Sequence, residues 1–316
     1  MEQGELNTTV AGVDVGKRTL DVAVHGGGEV VVANDEKGFS ALVSWLLERG
    51  VGRVGLEATG GYERDVRAWL ERAGFEVVVH QPIEVRLFAR LKRLKAKNDR
   101  LDARLIAQAT AQVEAVKAAR DPRLVDLAER LTAYEQITDQ AASLKTFLES
   151  VRLKDVIAGV RGQIRALERL KAKLAADILK RIRACPDLAD RFKLLMSLPG
   201  IGPIVAATLV VRMPELGGMR RGQAAALAGV APFDRDSGQF RGLRAIAGGR
   251  SRPRRMLYLA AIAAKRHDPA LRAFAQRLAA NGKKPKLVIV AVMRKLIEAA
   301  NLVLSRGQPW VRQPAT

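Results

Sequence analysis

The spacing of apolar residues changes near residue 118, and this change constrains the fold more than any other feature. Before it, five short apolar runs are separated by turns or by helical stretches: TVAGVDV, TLDVAVH, GGGEVVVAND, RVGLEAT and FEVVVH. A turn at Gly16-Lys17 joins the first two runs, and helical spacing covers 37–48, 62–72 and the stretch after Pro82. Three strands followed by helix, strand, helix, strand and helix predict an α/β domain over 1–118. This order is that of the ribonuclease-H-like fold.

Residues 119–185 carry no strand signal and predict a helical arm. Apolar residues recur every three or four positions from Leu124 to Val151 and again from Val160 to Ile182. Gly159 and Gly162 weaken a helix, so we place the break between two helices there. Such stripes predict an antiparallel coiled-coil hairpin. We expect the stripe to pack against another subunit, with packing on its own domain as the alternative.

Residues 186–316 predict a mainly helical domain around a segment rich in glycine and arginine. LPGIGP separates two apolar stretches and resembles a helix-hairpin-helix, in which Gly200 and Gly202 would allow backbone N–H groups to contact DNA phosphates. A plain turn between packed helices is the alternative. Further helices are expected over about 254–265, 269–280 and 285–304.

The net charge indicates the class of partner. The chain has 54 Lys and Arg against 33 Asp and Glu, a net charge of +21. A polyanion best neutralises such a surface, which makes nucleic acid the expected partner and an anionic membrane surface the alternative. No apolar stretch has the length of a membrane span, and the acidic N-terminus is not a signal peptide. With Cys185 as the one cysteine and no zinc-like histidine spacing, we expect a cytoplasmic protein whose metals are held by oxygen.

Four acids stand where a ribonuclease-H-like fold would bring them together. Asp14 ends the first strand, Glu57 ends the fourth, and Asp99 and Asp102 share one helical face in KNDRLDA. Clustered carboxylates repel each other unless cations neutralise them. Two Mg²⁺ or Mn²⁺ ions, about 3.5–4 Å apart, would do so and would promote phosphodiester chemistry. The alternative is that each acid is solvated or paired with a neighbouring Lys or Arg.

Two basic segments are candidate phosphate contacts. Residues 86–104 contain eight Lys and Arg, with two of the four acids as their only carboxylates. The residues predicted to contact nucleic acid here are Arg93, Lys95, Lys97 and Arg100. In the second segment no acid occurs over 241–255. The predicted contacts there are Arg241, Arg244, Arg250, Arg252, Arg254 and Arg255.

Asp236-Ser237-Gly238 directly precedes the second basic segment. A serine hydroxyl is a weak nucleophile that needs activation or a stabilised leaving group. Arginines can hold the phosphate and offset its charge in the transition state. Ser237 is therefore a candidate nucleophile, although composition alone would favour an ordinary turn serine.

These motifs resemble a known family. VDVGK, LEATGGYE and KNDRLDA resemble the motifs of the DEDD transposases of insertion-sequence family one-ten (IS110), on the acids Asp14, Glu57, Asp99 and Asp102. LPGIGPIVAATL and GVAPFDRDSGQFRG resemble the family's C-terminal transposase domain. The motifs occur in order over nearly the whole chain, with Asn98 where many members have threonine.

The resemblance implies a fold and a mechanism. It implies a first domain like the resolvase RuvC, a coiled coil, and a helical domain whose catalytic serine is Ser237 by position, with Ser251 as the fallback. It implies guidance by a structured bridge RNA that pairs with donor and target DNA. It also implies a covalent serine–DNA link and a site completed across subunits, hence a dimer or tetramer.

Three other functions remain open from the residues. A Holliday-junction nuclease would need the four acids but would use water in place of a serine. A non-catalytic RNA-binding scaffold would explain the charge and the coiled coil. VDVGK at a strand turn also resembles the phosphate loop of an actin-like ATPase, although no second such loop is apparent.

Overall fold

The computed structural model describes residues 9–93, 99–114, 121–233 and 245–311, with the backbone alone for 99–101. The chain divides into two compact units, Met1–Arg120 and Asp121–Thr316, and the helical arm belongs to the second. Within the described ranges, no helix is long and apolar enough to cross a membrane.

The first unit is built on a five-stranded sheet in the order β3-β2-β1-β4-β5. The hairpin strands β2 and β3 are antiparallel to their neighbours, whereas β1, β4 and β5 are parallel. This arrangement confirms the predicted α/β class and makes the first and fourth strands neighbours, as expected. The strands are β1 (Thr9–Val15), β2 (Thr19–Val24), β3 (Gly27–Ala33), β4 (Val51–Glu57) and β5 (Glu76–His80).

Helices cover both faces of this sheet. One face packs through alternating apolar residues, such as Val13 and Val15, on α1 (Glu36–Leu47) and α2 (Glu63–Arg72). The opposite face carries α4 (Asp99–Ala111), against which α3 (Pro82–Leu91) packs.

The arm is an antiparallel pair of helices, α5 (Pro122–Ser150) and α6 (Lys154–Arg183). Ion pairs between the helices fix their antiparallel direction: Arg130 with Asp177 at 2.8 Å and Lys145 with Glu168 at 2.7 Å. The predicted break at Gly159 and Gly162 is wrong, because both glycines lie inside α6 and the chain turns at 151–153. Each glycine costs a helix about 1 kcal/mol, and the Ala, Leu, Lys and Arg around them are strong helix formers.

The second unit packs the inner end of the arm into its own core. Four arm residues are buried there, namely Leu127, Leu131, Ile178 and Ile182. Farther out, Phe147, Leu153 and Leu170 are exposed. Packing of the outer stripe on another subunit therefore stays a prediction. The remaining elements are α7 (Pro186–Met196), α8 (Pro203–Arg212), α9 (Gln223–Leu227), β6 (Pro232–Phe233), β7 (Ala245–Ile246), α10 (Ser251–His267), α11 (Pro269–Ala280) and α12 (Pro285–Arg306).

Candidate catalytic carboxylates and the serine segment

Asp14 and Glu57 lie side by side at the carboxyl ends of adjacent parallel strands. The register of β1 and β4 pairs Gly12 with Gly55, two residues before each acid. Both glycines face α4. Because side chains two residues apart share a face, both carboxylates lie on the face that α4 covers.

Helix α4 begins at the edge of the sheet that carries these acids. A Cβ added at Gly12 would lie 2.3 Å from the Ala103 carbonyl oxygen, so the helix rests directly on the strand. Beyond the other end of α4, the Val113 carbonyl accepts a hydrogen bond of 2.6 Å from Arg53, near the start of β4. The helix therefore runs against β1 and β4, and its first turns, with Asp102, lie toward Asp14 and Glu57.

The structure thus brings three of the four predicted acids to one edge of the sheet. The fourth, Asp99, is the first residue of α4, but its side chain lies outside the described ones. Among the described side chains, no group of three or more Asp, Glu, His or Cys is placed to hold a metal ion. The donor chemistry nevertheless fits Mg²⁺ or Mn²⁺, which prefer oxygen ligands. A metal site formed by all four acids remains a prediction.

Asp21 is a further acid at this edge that the sequence analysis missed. It stands directly opposite Asp14 in the antiparallel β1–β2 pair and therefore on the same face. Like charges directly opposite each other destabilise a sheet unless a cation lies near. The signal was present in the sequence, because the tight turn at Gly16 fixes the register that pairs the two residues.

The loop after Glu57 is organised by the carboxylate of Glu63. Its Oε2 accepts hydrogen bonds from the Gly61 N–H at 2.8 Å, the Thr59 hydroxyl at 3.0 Å and the Thr59 N–H at 3.2 Å. Partial burial acts to raise the pKa of Glu63, but hydrogen bonds to backbone N–H groups and to the Thr59 hydroxyl lower it below its ordinary value. The charged form of Glu63 therefore holds this loop in place.

Asn34 connects this loop to the turn that follows Asp14. Its Nδ2 donates to the Gly16 carbonyl at 2.8 Å and to the Tyr62 carbonyl at 3.4 Å. One side chain thus links the segments that follow β1 and β4. No short sequence motif predicts this contact, because the two residues that Asn34 binds lie 18 and 28 positions away.

The predicted nucleophile, Ser237, lies in 234–244, outside the described residues, as do Arg241 and Arg244. The structure describes how both ends of this segment are held. Pro232 pairs with Ile246 across the short β6–β7 ribbon. Just beyond it, a Cβ added at Gly249 would lie 2.2 Å from the Gly229 nitrogen, so the two backbones touch. The fallback residue, Ser251, is exposed at the start of α10.

Four arginines predicted as phosphate contacts bind groups of the protein itself. Their guanidinium groups join the start of α10 to α5, to the loop after α8 and to nearby carbonyls. The pairs are Arg250 with Glu215 at 2.5 Å, Arg252 with Glu135, Arg254 with the Gly248 carbonyl at 2.9 Å, and Arg255 with Asp139. Their contact with nucleic acid stays a prediction, whereas their part in holding the unit together is visible in these bonds.

The predicted contacts near the first basic segment are mostly outside the described side chains. Lys95 and Lys97 lie outside the described residues, and of Arg100 only the backbone is described. Arg93 is described and exposed, with a positive φ of 55° just after α3.

The turn between α7 and α8 contains both glycines that were predicted to contact DNA phosphates. Gly200 has a φ of +75°, and a Cβ there would lie 2.4 Å from the Ala260 carbonyl of α10, so packing explains this glycine. Gly202 precedes α8, and a Cβ there would meet nothing within 4 Å. Both glycines are half-buried, and phosphate contact by either remains a prediction.

Comparisons with known proteins find similarity to transposases in both halves of the chain. Residues 11–155 match the DEDD transposase profile of the IS110 family, and residues 192–276 match the transposase profile of the IS116/IS110/IS902 family. The pilin gene-inverting proteins of Moraxella bovis and Moraxella lacunata are each 25% identical to the chain, over 96% of it and 98% of their own length. The Thermus thermophilus RuvC structure is 18% identical and covers 32% of this chain and 92% of its own, with a TM-score of 0.26. The first profile spans all four predicted acids and the second spans Ser237, so the two matched regions of this chain are both similar to IS110-family transposases.

Proposed function

We propose that the chain cuts DNA strands and rejoins them to new partners under the guidance of a structured RNA. Asp14, Glu57, Asp99 and Asp102 form the acidic site, and Ser237 is the nucleophile. The observation that carries this proposal is the placement of Asp14 and Glu57 on adjacent strand ends where α4 begins. The two family profiles support it, because the acids and the serine fall in separate transposase regions.

The serine step conserves the phosphodiester between cutting and rejoining. Ser237 Oγ attacks the phosphorus, the Oγ–P bond forms as the bond to the leaving strand breaks, and the serine proton passes to the leaving oxygen. A hydroxyl of the new partner strand then attacks the phosphoserine, and Ser237 recovers its proton. No ATP is needed, because each step exchanges one phosphate ester for another. Bound Mg²⁺ or Mn²⁺ would supply positive charge to the phosphate.

The guide RNA and the DNA are polyanions, in keeping with the net charge of +21. We expect the purified chain to carry nucleic acid and to lose it steeply as salt rises. Recombination should stop after complete removal of RNA. Unchanged recombination after RNase treatment would contradict guidance.

The printed name of the two relatives suggests an assay. They are called pilin gene-inverting proteins, so a DNA segment that reverses between two sites is a suitable reporter substrate for this chain. Inverted product should form with the wild-type chain and should be absent in EDTA. Full activity in EDTA would contradict the metal-dependent site.

A nuclease that uses water is the second candidate, since it needs the acids but no serine. The deciding experiment traps covalent protein–DNA adducts on a nicked substrate and maps them by mass spectrometry. We expect the adduct on Ser237, and its loss in Ser237→Ala together with a fall in recombination on the order of 10⁴-fold or more. Ser251→Ala serves as the control and should keep both.

Variants that bind nucleic acid but form no product distinguish the remaining alternatives. Ser237→Ala should still bind RNA and DNA, and Asp14→Asn should bind both without forming product. An adduct on Ser251, or normal recombination by Ser237→Ala, would remove Ser237 from the mechanism. Normal activity of Asp14→Asn would contradict the acidic site.

A further inference from the structure

Positive charge is segregated within the second unit. Every ion pair in the described part of this unit involves residues before Met256. From Met256 to Val311 the sequence has ten Lys and Arg but only two acids, Asp268 and Glu298. α11 and α12 therefore carry cations without acidic partners among the described residues.

Both acids of this region are engaged with backbone groups. Asp268 is buried and accepts a hydrogen bond from the Leu271 N–H at 2.9 Å, which caps α11. Glu298 accepts from the Gly222 N–H at 3.1 Å. Neither carboxylate forms an ion pair with a lysine or arginine in the described structure, so the surface of α11 and α12 keeps its charge.

Two of these cations meet at one aromatic ring. The Lys295 ammonium lies 4.3 Å from the centroid of the Phe274 ring, and the Arg277 guanidinium carbon lies 5.7 Å from it. Both cations are exposed, and they come from different helices. The ring attracts each cation by about 0.5–1 kcal/mol, but the two cations repel each other. An anion between them would turn this repulsion into attraction.

The contrast with the start of α10 supports a ligand. There, arginines are held by acids, as in the pair of Arg255 with Asp139. At Phe274 one cation would be enough to join α11 to α12, and the second adds repulsion without an acidic partner. A regularly spaced polyanion is the partner that such a surface fits.

We propose that the exposed surface around Phe274, with Arg277 and Lys295 at its centre, binds the phosphodiester backbone of duplex DNA. The proposal deepens the proposed function by naming a DNA surface that does not depend on the internally paired arginines of α10. Lysine and arginine contacts of this kind fix the position of the duplex but read no sequence. Lys283, Lys284 and Lys286, all exposed at the start of α12, extend the same charge.

The test measures DNA binding by the full chain in EDTA, so that it does not depend on catalysis. A short duplex is titrated with wild-type chain and with the double variant Arg277→Gln, Lys295→Gln between about 50 and 200 mM salt. Two lost phosphate contacts should lower the slope of log affinity against log salt by about 2 and weaken binding at least about tenfold at low salt. The melting temperature should stay close to that of the wild type.

A matched double variant removes the same charge elsewhere. Lys145→Gln, Lys193→Gln deletes two exposed cations that already pair with Glu168 and Asp190. Its salt slope should equal that of the wild type. Equal losses of DNA affinity in the two double variants, or no loss of affinity in either, would overturn the proposal. If the Arg277→Gln, Lys295→Gln variant loses affinity only for a structured RNA titrated in parallel, the proposal is also overturned. A loss of its affinity for duplex DNA supports the proposal. Because the measured quantity is the affinity for an intact duplex, failure of the catalytic proposal would leave this result unchanged.

Discussion

At the scale of single residues, Glu63 offers a test of how the acidic site is positioned. Glu63→Gln keeps the shape of the side chain but removes the charge that accepts three hydrogen bonds in the loop after Glu57. Hydrogen bonds to charged groups contribute about 1.5–3 kcal/mol against about 1 kcal/mol for neutral ones. We expect cleavage about tenfold slower, a higher Mg²⁺ concentration for half-maximal rate, and unchanged DNA binding. The measurement is the cleavage rate against Mg²⁺ concentration.

Glu84 provides the matched control for this variant. Its carboxylate accepts a hydrogen bond of 2.8 Å from the Gln81 N–H at the start of α3, beyond β5 instead of β4. Glu84→Gln removes a similar carboxylate charge and should weaken the start of α3 without changing the metal requirement. If both variants change the Mg²⁺ dependence alike, the role of Glu63 is general stability.

The lowered pKa of Glu63 also predicts a dependence of stability on pH. Because the pKa is lower in the folded chain than in the unfolded chain, its contribution is complete above the ordinary value of 4.5 and is lost as pH falls through the lowered value. Between about pH 5 and pH 3, the free energy of unfolding should therefore fall less steeply in Glu63→Gln than in the wild type. Chemical denaturation at several pH values measures this, and identical slopes would contradict it.

At the scale of elements, the contact of α4 with β1 controls where Asp99 and Asp102 lie. A Cβ at Gly12 would lie 2.3 Å from the Ala103 oxygen and the Ala107 nitrogen, so Gly12→Ala must displace the helix. Overpacking of this kind costs about 1–3 kcal/mol. We expect a lower melting temperature and loss of cleavage beyond what the stability change explains. Gly27→Ala, whose Cβ would meet nothing within 4 Å, should leave both nearly unchanged.

The link between α10 and α5 separates a structural role from a phosphate contact. Arg252 pairs with Glu135, which is 8% exposed, whereas Arg255 pairs with the partly exposed Asp139. Arg252→Gln should cost roughly 2–4 kcal/mol of stability, less than a fully unpaired buried charge because Arg212 lies 3.6 Å from Glu135. Arg255→Gln should cost about 0–1 kcal/mol. Thermal unfolding distinguishes them, and weaker DNA binding without lost stability would favour phosphate contact.

At the scale of the whole molecule, local sequence patterns predicted the helices and strands. They did not predict the contacts between residues that are far apart in the chain. Alternating apolar residues and turn glycines predicted five strands, and the ribonuclease-H-like order, in which the first and fourth strands are neighbours, placed Asp14 beside Glu57. The turn of the arm at 151–153 was missed, because glycine in a long helix is a weak breaker. The acids that bind Arg252 and Arg255 lie 117 and 116 residues away, and no local spacing reveals them. The positive charge of these two arginines alone had indicated that they contact phosphate.

The assembly of subunits determines whether one chain or two chains supply each catalytic site. The acids and Ser237 belong to different units of the chain, and family resemblance implies that two subunits complete one site. Asp14→Asn and Ser237→Ala should each be inactive alone. When the two variants are mixed as unfolded or dissociated chains and reassembled, about half of the dimers contain one of each. Each such dimer has one site with the wild-type acids of one subunit and the wild-type serine of the other. We therefore expect adduct formation to return in the mixture, on the Asp14→Asn chain alone, which mass spectrometry can identify if that chain carries a distinguishing tag. An inactive mixture in which heterodimers are demonstrated would place the acids and the serine of each site in the same subunit.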